Sequence, residues 1–117
     1  MTLSNTSPFA NELNLPYFAV IFSSARKRSK DDGYEETAAR MVQLAAEMPG
    51  FLGVENARDT DGFGITVSYW KTETAIAQWR THAEHLLAQE RGKAQWYQHY
   101  VLRIAKVERC YSGPEGR

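Results

Sequence analysis

The chain has one cysteine, three histidines and four prolines, and no excess of either charge: fourteen basic residues stand against fourteen acidic ones. Each shortage removes a class of function. A lone thiol cannot close an internal disulfide, so no secreted cystine framework is implied. Cys110 falls in the last apolar stretch and reads as a buried structural thiol rather than a nucleophile. Balanced charge gives no electrostatic reason to expect nucleic acid or an anionic membrane as partner. No apolar run approaches the ~20 residues that span a bilayer. The opening MTLSNTSPFANELNLP has neither a basic n-region nor an apolar h-region. It does not read as a signal peptide, and the expected location is the cytoplasm.

What is present is a globular composition, with 43% hydrophobic and 12% aromatic residues in 117, enough for one core without staples. Residues 1–16 are polar, carry Pro8 and Pro16, and read as an arm. YFAVIFSSAR (17–26) is a strand with two apolar faces, which requires cover on both sides. KRSKDDG (27–33) reads as a solvated charged loop, with Asp31 or Asp32 capping a helix. In that helix Tyr34, Ala38, Met41, Ala45 and Met48 form one face, and Pro49-Gly50 stops it. FLGVENARD (51–59) and FGITVSYWK (63–71) read as strands joined by a Gly-bearing hairpin. Thr72 is placed to cap a second helix that runs to about Gly92, with Ile76, Trp79, Ala83, Leu86 and Leu87 on its apolar stripe. A turn with Trp96 and Tyr97 leads into a last strand over 100–111, and 112–117 form a tail.

The order β-α-β-β-α-β is the ferredoxin-like arrangement of the α+β class, an antiparallel sheet with both helices on one face. The opposite face is left apolar, and a homodimer with two sheets face to face would cover it.

PGFLGVE (49–55) and SYWKTETAIAQW (68–79) resemble the antibiotic biosynthesis monooxygenase family, and the resemblance runs over roughly 17–111. Trp70, Thr72, Ala75, Trp79 and a histidine at 82 or 85 carry it, with WYQHY (96–100) similar to a subgroup. The resemblance implies a dimeric α+β barrel with a pocket between sheet and helices in each subunit. It also implies oxygenation of a small phenolic or quinol-type molecule by O₂ with no cofactor, the deprotonated substrate acting as reductant. Haem-degrading relatives have an Asn in the first strand and an axial His late in the second helix. Here Ile21 and Gln89 stand at those places, and only Trp70 matches, which weighs against haem.

His82 and His85 are three residues apart and neighbours on one helix face. Zinc needs three or four ligands, and HAEH lacks the HExxH spacing, so no metal is expected. His85, beside the apolar stripe, is the candidate catalytic base, since imidazole titrates near neutrality. The candidate substrate-binding residues are Trp70 and Trp79 as aromatic walls, Asn56 and Ser68 as hydrogen-bonding groups, and His82, whose solvated reading competes with the role. Asn56 is read as alternating with Leu52 and Val54 on one row. The alternative to an enzyme is a non-catalytic dimeric domain that binds a small apolar molecule.

Overall fold

The computed structural model describes residues 14–26, 34–90 and 97–114. The elements run β1 (Tyr17–Arg26), α1 (Tyr34–Glu47), β2 (Phe51–Arg58), β3 (Phe63–Trp70), α2 (Glu73–Glu90) and β4 (Tyr97–Val107). This is the ferredoxin-like βαββαβ order. The strands form one antiparallel sheet in the order β2-β3-β1-β4. β1 is central because its aromatic and β-branched residues suit a pleated surface packed on both faces. Val20 opposes Ser68 of β3 and Ile104 of β4, while Val54 of β2 also opposes Ser68. These residues share the face that carries the helices. Tyr17, Ala19 and Ile21 look the other way, with Tyr69, Val67 and Ile65 beside them.

The core forms where the helices meet the Trp70 end of the sheet. Val20, Ala45, Trp70, Ala75 and Ile76 are buried together, with Phe18, Met48, Phe51, Trp79 and Leu102 packed around them. Trp70 is wholly buried. A buried tryptophan removes about 200 Å² from water, worth about 5 kcal/mol of transfer free energy. Its ring meets Phe51 edge-on at 5.4 Å and Trp79 at 5.5 Å between centroids. On α1, Ala38, Met41 and Ala45 lie on the inward side, as the helical spacing predicts, and Met48 just past the helix packs on the core.

Two junctions fix the helices on the sheet. Met48, Pro49 and Gly50 turn the chain from α1 into β2, with Gly50 at φ +90°. A Cβ on Gly50 would lie 2.7 Å from the Cβ of Ala75, so α2 crosses this turn at a distance only glycine allows. The Gly50 carbonyl accepts from the Lys71 amide at 2.8 Å, tying the start of β2 to the end of β3. Thr72 then caps α2 as the sequence predicts: its Oγ1 accepts from the Ala75 amide at 3.0 Å.

Three expectations change. The last strand is Tyr97–Val107, not 100–111, because Val107 already stands opposite Tyr17, the first residue of β1, and the ladder has no partner beyond it. Cys110 therefore lies past the strand and is exposed, not buried. In β2 the register shifts between Phe51 and Gly53, and Phe51 pairs with Trp70. This bulge puts Phe51, not Leu52, on the face of Val54 and Asn56. The predicted caps Asp31 and Asp32, the basic residues 27–30, Trp96, most of the arm and the end of the tail lie outside the described residues. No described helix is long and apolar enough to cross a membrane.

Candidate active-site cavity

Between the helix-side face of the sheet and the two helices lies a cavity of about 400 Å³. This is within the range of sites for small organic ligands. The sheet gives the floor: Val20 and Phe22 from β1, Thr66 and Ser68 from β3, Tyr100 and Leu102 from β4. β2 adds Phe51, Val54, Asn56 and Arg58 along one edge. α1 roofs it with Ala38, Met41 and Ala45, and α2 with Trp79 and Ala83. Small residues on the inward faces of the helices, Ala38 and Ala45 on α1 and Ala83 on α2, leave this space unfilled. The wall is apolar over most of its area, with a few polar groups set into it.

Ser68 is one of those groups, and its orientation is set from behind. The indole N–H of Trp70 donates to Ser68 Oγ at 2.8 Å. With one lone pair engaged, the hydroxyl proton and the second lone pair are left to meet a ligand. Thr66 and Asn56 stand opposite one another on β3 and β2, both on the cavity wall. Trp79 is the most telling residue. Its Nε1 is buried and has no hydrogen-bond partner among the described residues. A buried donor without an acceptor is costly, about 1–3 kcal/mol, and rare in native proteins. Trp79 lines the cavity with its ring, while Nε1 itself lies beneath the accessible surface.

Arg58 closes one end. Its side chain reaches from the edge strand across Gly64 of β3 to β1, where its Nη2 donates to Ser24 Oγ at 2.9 Å. Its Nη1 donates to the carbonyl of Gly62. A Cβ on Gly64 would come within 2.6 Å of the guanidinium carbon, so the missing side chain is what makes room for it. The hairpin supporting this end is pinned by Asp59, whose Oδ1 accepts from the amides of Asp61 at 2.9 Å and Phe63 at 3.0 Å. Arg80 and Glu84 line the other side and pair with each other at 3.5 Å.

The structure brings together Asn56, Ser68 and Trp79 of the residues singled out from sequence, and separates the rest. Trp70 sits behind the wall, supporting Ser68 and Trp79 rather than facing the cavity. His82 and His85 are exposed on α2 and neither lines the cavity. The phase of the helix explains this. Ala75, Ile76, Trp79 and Ala83 face inward, and positions 82 and 85 fall together on one flank, turned roughly 75° and 135° from the centre of that stripe. Ile21, set where haem-degrading relatives have Asn, points to the open face, while Val20 and Phe22 face the cavity. The side chains of Leu86, Leu87 and Gln89 lie outside the described residues. Among the described residues no group of three potential metal ligands converges. Sequence reasoning passed over Arg58, although it continues the alternation of Val54 and Asn56 that pointed to Asn56.

On the open face a second polar group forms. Tyr69 donates its hydroxyl to Glu55 Oε1 at 2.6 Å, and its ring meets Tyr17 edge-on at 5.6 Å. Burial, and then the bond to Glu55, hold the Tyr69 phenol well above its ordinary pKa near 10. Burial and a hydrogen bond to Cys110 raise that of Tyr17 as well.

Comparison with known proteins agrees with this architecture. The chain is 60% identical over 94 residues to the uncharacterized protein YqjZ of Bacillus subtilis, covering 80% of this chain and 82% of that one. It is 34% identical over 94 residues to the jasmonate monooxygenase ABM of Pyricularia oryzae, covering 77% of this chain but only 43% of that longer protein. The fold superimposes on SnoaB, a cofactor-independent oxygenase from Streptomyces nogalater, with a TM-score of 0.59 at 14% identity over 86% of this chain and 98% of that one. The sequence profile of the antibiotic biosynthesis monooxygenase family matches residues 16–91, and the chain belongs to that family.

Proposed function

We propose that the protein is a cofactor-independent monooxygenase acting on a small phenolic or quinol-type molecule held in the cavity. The observation that carries this reading is an apolar space of ligand size, walled by Trp79, Phe51, Met41 and Leu102, with the Ser68, Thr66 and Asn56 side chains set into its lining. Ser68, Asn56 and Thr66 supply hydrogen bonds to substrate oxygens, and Phe51, Met41 and Leu102 pack its rings. The reductant is the substrate itself. A ring CH₂ activated by an adjacent carbonyl loses a proton, and the carbanion reduces O₂. One oxygen atom ends as a new C=O and the other leaves as water. Among the described lining residues Glu84 carries the carboxylate, and it takes the proton-acceptor role that the sequence assigned to His85. A mostly apolar wall limits the water that meets the carbanion.

SnoaB, named as a cofactor-independent oxygenase, supports the absence of a resident cofactor, and the jasmonate monooxygenase supports oxygenation of a small organic molecule. The working unit in this proposal is a homodimer. Phe63 and Ile65 on the open face are 49% and 41% exposed, beside half-buried Ile21 and Val67, and a second sheet would cover them. The proposed compartment is the cytoplasm.

Oxygen uptake with a panel of anthrones and hydroquinones tests the reading. The expected result is protein-dependent uptake that Glu84→Gln reduces at least about tenfold in kcat with KM little changed. No uptake with any member of the panel overturns the enzymatic reading. It then favours a non-catalytic binding domain, which the position of His82 and His85 outside the cavity also supports.

A further inference from the structure

We propose that Ser68 is the oxyanion donor of the cavity. Its hydroxyl meets an unprotonated substrate oxygen, a ketone carbonyl that becomes an enolate as the neighbouring carbon loses its proton. This rests on the reading of the cavity as an oxygenase site, and adds which wall residue faces the reacting oxygen and in which protonation state.

Ser68 is only 8% exposed and lies on the cavity wall. A buried hydroxyl is rarely left without an acceptor for its proton. Among the described residues its one side-chain bond is the one it accepts from the Trp70 indole at 2.8 Å, and an indole N–H cannot accept in return. Across the sheet Ser68 stands opposite Val20 of β1 and Val54 of β2, both aliphatic. Along β3, Thr66 is two residues away, about 6.6 Å at the rise of a strand and beyond hydrogen-bond reach. Asn56 stands in the row of Thr66, not in that of Ser68. Ala45 and Trp79, which pack from the helices into the core around Trp70, carry no side-chain acceptor. The direction left to the hydroxyl proton is the cavity.

The matching ligand group is therefore an acceptor. An unfilled second lone pair on Oγ is tolerated better than an orphaned proton. A carbonyl, an enolate or a phenolate meets that need. Donation from the indole into Oγ polarises the hydroxyl and strengthens the bond it gives. In the proposed reaction the ring C–H proton goes to the base, and its electron pair moves onto the carbonyl oxygen. Ser68 keeps its own proton throughout. Its bond begins as a neutral one to a ketone and becomes charge-assisted as the enolate forms, so it favours the transition state over the bound substrate.

The ionisation of bound 2,4-dichloro-1-naphthol tests this, since this bicyclic phenol has one oxygen, titrates near neutrality and changes its absorbance on losing its proton. Ser68→Ala should raise the pKa of the bound naphthol by about one unit, a tenfold loss of preference for phenolate over phenol. A merely structural role for Ser68 would weaken both forms alike and leave that pKa unmoved. Ser68→Cys is the second route: it keeps an acceptor for the Trp70 indole but donates weakly, and should shift the pKa the same way by less, even if Ser68→Ala fails to fold. A bound pKa that stays at the wild-type value in the folded variants refutes the oxyanion role and leaves the cavity reading standing. Failure of wild-type protein to bind the naphthol at any concentration up to saturation refutes both.

Discussion

Replacing Gly50 by alanine should be among the most damaging single-methyl changes available in this protein, and the structure divides the damage into two parts. The first is conformational. Gly50 sits at φ +90°, a region that costs a residue with a Cβ roughly 1–2 kcal/mol. The second is steric. The new Cβ would lie 2.7 Å from Ala75 Cβ, about 0.7 Å inside the 3.4 Å at which ordinary contact begins. Neither atom can rotate away, because each is fixed to its backbone, so α2 must shift against the turn. Overpacking of this kind costs about 1–3 kcal/mol. Against these stands about 0.4–1 kcal/mol from a stiffer unfolded chain. The net is a loss of about 1–4.6 kcal/mol, which at about 4 °C per kcal/mol lowers Tm by roughly 4–18 °C. Urea and thermal unfolding followed by circular dichroism measure it. The double variant with Ala75→Gly separates the parts: alone, Ala75→Gly costs about 1 kcal/mol of helix propensity. In the Gly50→Ala background removing the clash returns about 1–3 kcal/mol against that cost, so the double variant should be about 0–2 kcal/mol more stable than Gly50→Ala alone, with the φ cost left. If Gly50→Ala costs under 1 kcal/mol, or if Ala75→Gly adds its full cost on top, the close crossing of α2 over the turn is wrong.

Ser68→Ala strips the acceptor from a wholly buried indole N–H and should cost about 1–3 kcal/mol in urea unfolding, with a non-additive double variant alongside Trp70→Phe; additivity would show that the Trp70–Ser68 bond contributes little. Stability should also fall at high pH. Tyr69 and Tyr17 keep their protons in the fold beyond the ordinary value near 10, so above that pH the unfolded chain binds fewer protons and the slope of stability with pH is negative. Their contribution is complete below pH 10 and is lost as pH rises through the folded values; Tyr69→Phe should flatten the decline, and an unchanged slope would remove Tyr69 as its source.

What could be read from the sequence was what neighbouring residues decide. The limits of β1, the Thr72 cap and the stop at Pro49-Gly50 rest on local alternation, local capping and local stereochemistry, and the fold agrees with them. What could not be read depends on partners elsewhere in the chain. Where β4 stops is set by the first residue of β1, and that is why Cys110 looked buried. The bulge at the start of β2 is a matter of register with β3, invisible from FLGVEN alone. The place of Asn56 on the cavity wall was legible because alternation carries a side chain to a known face. Arg58 needed more: its path inward depends on Gly64 and Ser24, on two other strands. For His85 the chain gave the right helix, and the placement turned on an angular phase that a single residue shifts by about 100°.

The two indoles at the Trp70 end have an optical consequence. Their centroids are 5.5 Å apart with planes tilted by 38°, so their ultraviolet transitions are close enough to couple and are not parallel. Such a pair gives a bisignate exciton band in circular dichroism whose amplitude depends on their mutual angle. Trp70 is clamped by Ser68 in the core, whereas Trp79 borders the cavity. A molecule that packs against the Trp79 ring would tilt one chromophore against a fixed reference. The protein thus contains its own label-free gauge of occupancy at that wall, for coloured and colourless ligands alike.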